Sequence, residues 1–246
     1  MNAPVLLTGS EGRVGQAILS RLGDAYEWRV LDRERPIDPP GEAFAADVTD
    51  AEAVREAMEG VGAVIHLAGD PRPQAAWGSV LRNNIDGTHT VLSTAIEADV
   101  EKVVFASSNH AVGHYETAER TPDLYRPEDD FLLDGSEYPR PGNLYGVSKA
   151  TGELLCRYYH DEYDLSTVCV RIGNLNERHP PRDYERGQAM WLSHRDCAHL
   201  FDRCLKADYG FEIVYGISDN DRKYYSLDRA RTVLGYEPRD NSAEFE

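Results

Sequence analysis

The chain has 246 residues, enough for one large domain with its own core, and its 43 acids against 26 bases give a net charge of −17. Such a surface repels phosphate backbones and disfavours a nucleic-acid binder, and no apolar run approaches the ~18 residues of a membrane span. The first residues lack a basic stretch followed by a long apolar one, so no leader peptide is expected and the cytoplasm is the default. Lysine is scarce among the bases, and acid-rich, lysine-poor composition predicts salt-rich surroundings, where screening relieves self-repulsion. Cys156, Cys169, Cys197 and Cys204 form neither a Cys-x-x-Cys pair nor a zinc spacing, so buried thiols and no metal are expected.

The elements then alternate along the chain. "APVLLTG" predicts a strand, and it runs into "TGSEGRVG", which opens a helix over "GQAILSRLGD". Gly9, Gly12 and Gly15 therefore lie between a strand and a helix, the context of a dinucleotide-binding turn. Their missing side chains let the backbone turn tightly and approach a pyrophosphate at a helix N-terminus. An ordinary glycine-rich turn is the alternative. Ser10, Arg13 and Val14, inside the turn, join the glycines as candidate cofactor contacts.

"WRVLDR" predicts a strand ending at Asp32, 23 residues after Gly9, where an acid grips the adenosine ribose. Arg33 beside it would suit a 2′-phosphate, so the pair favours NAD and leaves NADP open. Asp47 and Val48 in "AADVTD" follow a short strand. Asp47 reads either as an adenine contact or as a helix cap, and Asp50 opens a helix over "DAEAVREAMEG". "GAVIHLAG" is a strand whose end, Leu67, Ala68 and Gly69, lies where the middle of the cofactor passes, with Asp70 next; His66 reads as a core histidine. "LRNNIDGTHTVLSTAIEADV" is a helix, "KVVFASS" a strand ending at Ser107 and Ser108, and "STVCVRIGN" a strand passing through Ile172 to Asn174.

From Asn174 the regularity fails. "NERHPPRDYERGQ" reads as a polar loop, "HRDCAHLFDRCLKA" as a helix, "FEIVYGIS" as a strand and "SLDRARTVLGYEP" as a helix stopped by Gly235. The pattern predicts an α/β fold: a Rossmann-like, doubly wound parallel sheet with helices on both faces over 1–173, and a small C-terminal substrate-binding portion over 174–246, in one compact unit. Loops at about 113–142 and 174–189 exceed what connectors need, and they fall where such sheets carry function.

One lysine stands out. In "NLYGVSKATGELLCRYY", Tyr145 and Lys149 are i and i+4 and share a helical face, 37 residues after Ser108. A phenol is a poor base at its ordinary pKa, and a neighbouring ammonium favours the phenolate. Lysine also offers a ribose rotatable donors that arginine's planar fork does not. Tyr145 is thus a candidate base, Lys149 its partner and a cofactor contact, and Ser108 a donor to the reacting oxygen.

These residues resemble the extended short-chain dehydrogenase/reductase superfamily, over most of the chain: "TGSEGRVG", "ADVTD", "HLAG", "NNIDGT", "FASSNH", "YGVSK", "VRIGN" and "ARTVLGYEPRD". The resemblance implies that Ser108, Tyr145 and Lys149 are catalytic and that Asn84 helps shape the site on the cofactor side. Within the superfamily, "FASSNHAVGHY", "LYGVSK", "WLSH" and "VYGISDN" look most like uronate dehydrogenases. This implies oxidation of the anomeric carbon of galacturonate or glucuronate to a lactone, with NAD or NADP. Asn109 and His110 would contact sugar hydroxyls. Arg186, five residues before Trp191, would hold the carboxylate. Asp70, Ser108, Tyr145 and Asn174 complete the expected substrate contacts. The loop "DPRPQAAW" departs from the family, with Pro71 where relatives carry a substrate-contacting serine, which keeps a neutral aldose such as arabinose or galactose as the alternative. A nucleotide-sugar epimerase or dehydratase is a further alternative, against which the short C-terminal portion argues. Helices at about 81–98 and 144–162 are expected to pair two copies into a homodimer or higher oligomer.

Overall fold

The computed structural model describes residues 3–116, 132–176, 180 and 185–245. Six strands follow one another as β1 (Val5–Thr8), β2 (Trp28–Asp32), β3 (Glu42–Ala45), β4 (Ala63–His66), β5 (Lys102–Ser108) and β6 (Ser166–Ile172). Two short strands, β7 (Asn174–Leu175) and β8 (Trp191–Leu192), pair separately, and β9 (Phe211–Gly216) rejoins the main sheet. That sheet has the order β3-β2-β1-β4-β5-β6-β9 and every pairing is parallel. From β1 the chain winds outward first one way and then, through β4, the other, so a crevice opens at the carboxyl ends of β1 and β4.

Near-continuous apolar strands require cover on both faces. Helices α1 (Arg13–Leu22), α2 (Ala51–Met58), α3 (Trp77–Val80), α4 (Gly87–Glu97), α5 (Leu144–Tyr163), α6 (Glu185–Ala189) and α7 (His194–Lys206) provide it. Strand side chains alternate between two cores. Val5, Leu7, Val30 and Val104 pack with Ile18 of α1 and Leu200 and Phe201 of α7; Leu6, Leu31, Val103 and Phe105 pack with Val54 of α2, Leu92 of α4 and Cys156 of α5. All four cysteines are buried thiols. His66 is also core: its ring bonds Thr8 at 2.8 Å and Thr88 at 3.1 Å, and burial, with Lys149 adding, lowers it to about 3.

Side chains fix the helix starts. Asp50 accepts from the Glu52 and Ala53 amides, both at 3.2 Å, and so caps α2 as expected. Asn143 caps α5 by accepting from the Gly146 amide at 2.8 Å. Two expectations change. Part of the expected loop "NERHPPRDYERGQ" is α6, with the chain before it at 177–179 and 181–184 outside the described residues. The helix over "SLDRARTVLGYEP" is shorter than expected, helical over 228–234 with its end, Ala230–Leu234, widened. Gly235 does stop it, at φ +68, with the Gly235 and Tyr236 amides closing on Arg231 and Ala230. The long expected loop at 113–142 begins as a 3₁₀ segment, Asn109–Glu116; 117–131 lie outside the described residues. No described helix is long and apolar enough to cross a membrane.

One polar cluster crosses the layers beside the crevice. Arg171 of β6 is fully buried. It donates from Nε and Nη2 to the two oxygens of Glu153 on α5, each at 2.9 Å, and from Nη1 to Glu137 at 3.0 Å. Ser107 of β5 donates to Glu153 at 2.6 Å, and the Tyr215 hydroxyl of β9 donates to Glu137 at 3.1 Å. Removing the guanidinium strands two carboxylates away from water. Arg171→Met should therefore cost about 3–5 kcal/mol, a fall of roughly 10 °C in melting temperature for a chain this size. Arg55→Ala, which breaks a pair with Glu97 whose members are 52% and 54% exposed, should cost less than about 1 kcal/mol. Thermal melts of the two variants test this; equal small shifts would refute it.

Candidate active site

A cleft of about 750 Å³ opens where the winding reverses, and its walls come from both halves of the chain, from Gly9 to Met190. Its floor is the glycine turn. Gly9 takes φ +76, and a Cβ there would stand 2.8 Å from the Ala68 amide nitrogen. A Cβ at Gly15 would stand 2.4 Å from the Ser10 carbonyl oxygen. The turn is thus packed at backbone-to-backbone distance, which only glycine permits. α1 begins at Gly12 without a side-chain cap, so its first amides lie bare at the positive end of the helix dipole. This cradle fits a dinucleotide pyrophosphate.

Expected cofactor residues surround it. Arg13, Val14, Asp32, Arg33, Asp47, Val48, Leu67, Ala68 and Gly69 line the cleft, as do Ser107, Tyr145, Lys149 and Ile172. Ser10 and Asn84 stand one layer behind. Ser10 is buried with its amide and hydroxyl on Asp32, at 2.9 and 2.5 Å. Asn84 accepts from the Asp70 amide at 2.6 Å and donates to the Asp70 carbonyl and the Ser148 hydroxyl. It ties the loop after β4 to α5 rather than facing the cleft. Asp47 is both a turn former, accepting from Thr49 at 3.0 and 2.8 Å, and the partner of Arg82 at 3.3 Å. Burial works against its ionisation, but these contacts outweigh it and lower its pKa.

The chemistry gathers at the ends of β5 and α5. Tyr145 and Lys149 share a face, with the lysine Nζ 5.8 Å from the Tyr145 ring centre and 5.0 Å from that of Phe105. Lys149 is buried and donates to the Ala106 carbonyl at 2.8 Å. Burial lowers it to about 8, while Cys156 and Glu153 act to raise it. The expected depression of the Tyr145 phenol is not present in the protein alone. Burial raises its pKa, a hydrogen bond with Ser108 counteracts this, and Asp70 adds to the rise. The ammonium has already committed a proton to Ala106, and desolvation of the phenol dominates.

Substrate candidates complete the wall. The Ser108 hydroxyl donates to Asn109 at 3.2 Å, and Asn109 reaches Met190 of the C-terminal portion at 3.8 Å. The His110 ring lies edge-on to Tyr145 at 5.5 Å and bonds Asn143 at 2.9 Å. Burial, with Arg186 adding, lowers the His110 pKa. Asn174 lines the cleft from β7, and its amide donates to the Met190 carbonyl at 2.8 Å. Asp70 also lines it, with its carboxylate taken by Arg72 and Ser79. The Arg72 hydrogen bond holds Asp70 well below the usual carboxylate range. Arg186 of α6 borders the cleft and is ion-paired with Glu116, which also accepts from the Tyr225 hydroxyl.

Sequence reasoning passed over Glu116, Asn143 and the Arg171 cluster. Asn143 carried a signal, since an asparagine two residues before the helical Tyr145 is an N-cap pattern. So did Arg171, a charge inside the apolar run "TVCVRIG". Glu116 carried none, because its partners are 70 and 109 residues away.

The glycine cradle, the strand-end acid and the Ser108/Tyr145/Lys149 group fit an NAD-dependent oxidoreductase that acts on a CH–OH group, the class to which the relatives below belong. The sequence model of the NAD dependent epimerase/dehydratase family matches residues 5–194, and the chain belongs to that family. It is 68% identical, over all of this chain and 96% of the relative, to an NAD-dependent glucose-6-phosphate dehydrogenase of Haloferax volcanii. An L-arabinose 1-dehydrogenase (NAD(P)(+)) of the same organism is 38% identical over 98% of each chain. The solved structure of a glucuronic acid dehydrogenase from Chromohalobacter salexigens superposes with a TM-score of 0.86 at 32% identity, over 100% of this chain and 89% of that one.

If Tyr145 is the proton acceptor, Tyr145→Phe should lower kcat by about 10²–10⁴-fold. The Kd for NAD should stay within about twofold, because the cradle is untouched. Single-turnover kinetics and calorimetry check the two halves, and near-normal turnover in the variant would exclude the assignment.

Proposed function

We propose that the protein oxidises the anomeric carbon of glucose 6-phosphate to the corresponding lactone. The observation that carries this reading is the 68% identity, across the whole chain, to an NAD-dependent glucose-6-phosphate dehydrogenase, set beside the Ser108/Tyr145/Lys149 group. NAD, when bound, supplies the acceptor for the hydride from C1. The residues do the rest. Tyr145 takes the proton of the C1 hydroxyl, which lets C1 give up its hydride, and with it two electrons, as the oxygen becomes a carbonyl. Ser108 orients and polarises that oxygen. Lys149 holds the cofactor's ribose and supplies positive charge beside the phenolate. Asn109 and His110 orient the ring hydroxyls, with His110 itself braced by Asn143 at 2.9 Å.

Arg186, which borders the cleft from α6 at the end away from the glycine cradle, supports an anionic sugar. Arg13 and Arg33 lie with Asp32 on the adenosine side, and Arg72 is paired with Asp70. The uronate and sugar-phosphate readings agree that the far end of the sugar carries an anion, and Arg186 is the group we assign to it. They differ in which anion, and the identity favours the phosphate over the uronate that the motifs implied. A neutral pentose would make no use of Arg186. We further propose that two copies pair through α4 and α5, because Leu154, Tyr158 and Tyr163 present an exposed apolar face along α5.

Initial rates of NADH formation with glucose 6-phosphate, glucuronate, galacturonate, arabinose and glucose test the substrate. Glucose 6-phosphate should lead by at least about 100-fold in kcat/KM, and Arg186→Ala should lose about 30- to 1000-fold on it, worth ~2–4 kcal/mol, and little on glucose. A uronate in the lead would restore the carboxylate reading. Arabinose in the lead, with Arg186→Ala silent on every sugar, would remove the anion altogether.

A further inference from the structure

Asp32 closes β2 on the adenosine side of the cleft, and Arg13 and Arg33 line the cleft with it. Acid and arginines favour different cofactors. A carboxylate accepts from the ribose hydroxyls of NAD and repels the 2′-phosphate of NADP, whereas arginine attracts that phosphate. The wall thus holds groups for both, and the outcome depends on whether the carboxylate stays where it is.

Ser10 holds it there. The Ser10 amide donates to Asp32 Oδ2 at 2.9 Å, and the Ser10 hydroxyl donates to the same oxygen at 2.5 Å. Neither bond uses Oδ1. Ser10 is itself immobilised: it is buried, Gln16 donates to its carbonyl at 3.3 Å, and Gly15 is packed so closely that a Cβ would meet the Ser10 oxygen at 2.4 Å. The Asp32 backbone is fixed as well, its carbonyl accepting from Ala46 at 2.8 Å. The side-chain torsions of Asp32 are therefore the freedom that remains, and two converging donors from a rigid loop remove it.

We propose that Ser10 is a specificity-determining positioning residue, which pins the Asp32 carboxylate against the adenosine ribose and so keeps the cleft selective for NAD over NADP. The proposal rests on the family's NAD site and is independent of which sugar is oxidised. Without the hydroxyl, one amide bond remains and the carboxylate is free to swing off the ribose position. A 2′-phosphate then meets two guanidinium groups with less repulsion.

Calorimetric titration of NAD and NADP into the protein without sugar tests this, using wild type, Ser10→Ala, Ser10→Thr, Asp32→Ala and the Ser10→Ala/Asp32→Ala pair. The ratio of the NADP Kd to the NAD Kd should fall about tenfold in Ser10→Ala, or ~1.4 kcal/mol. Ser10→Thr keeps the hydroxyl and should hold the ratio within about twofold of wild type. In the Asp32→Ala background, removing the hydroxyl should leave the ratio unchanged, since the two residues act as a unit. Three results would overturn the proposal: an unchanged ratio in Ser10→Ala, equal weakening of both cofactors, or an effect of the same size without Asp32. If Ser10→Ala does not fold, Ser10→Gly removes the same hydroxyl and carries the same expectations.

Discussion

The guanidinium of Arg171 is the constraint on which the site depends. It lies fully buried near the end of β6 and draws together three pieces of chain that each carry part of the chemistry. Glu153 stands on α5 one turn beyond Lys149, so its two bonds to Arg171 set the rotation of the helix that presents Tyr145. The same carboxylate takes the Ser107 hydroxyl, next to Ser108. Glu137 anchors the segment that leads into the Asn143 cap. Buried ion pairs contribute little net stability, because desolvation offsets attraction. Their directional bonds hold relative orientation, and orientation is what a proton transfer needs.

Around that fixed point the electrostatics divide by region. The acidic surface, net charge −17, repels polyanions. In the cleft a low-dielectric wall makes each charge count for more. Lys149 shows the cost. Burial draws its pKa to about 8, yet the Ala106 carbonyl and nearby Glu153 favour the ammonium. Burial raises the Tyr145 phenol in the protein alone, and the hydrogen bond with Ser108 counteracts it.

Much of this was legible in the sequence, because parallel sheets and glycine turns write local patterns. Leu6 and Leu7, or Phe105 and Val104, face opposite cores, as alternation along a strand requires. Gly9 and Tyr145 were placed by what precedes and follows them. Relations between distant residues were not legible. Nothing in "HYETAER" says that Glu116 meets Arg186, and nothing in "TGSEG" says that Ser10 reaches across 22 positions to Asp32. β9 was readable as a strand but not as the seventh member of the main sheet, since its partner choice depends on where α7 lies. Asn84 was assigned to the site by resemblance, and its bonds to Asp70 and Ser148, both distant in the chain, were not legible.

The central claim is hydride removal from C1 of glucose 6-phosphate by NAD at this site. Glucose 6-phosphate carrying deuterium at C1, turned over with NAD and followed by mass spectrometry of the reduced cofactor, tests it most directly. One deuteron per reduced cofactor, with a lactone or its hydrolysed acid as the sugar product, is the predicted result. Unlabelled reduced cofactor, or none at all while a uronate is oxidised readily, would contradict it.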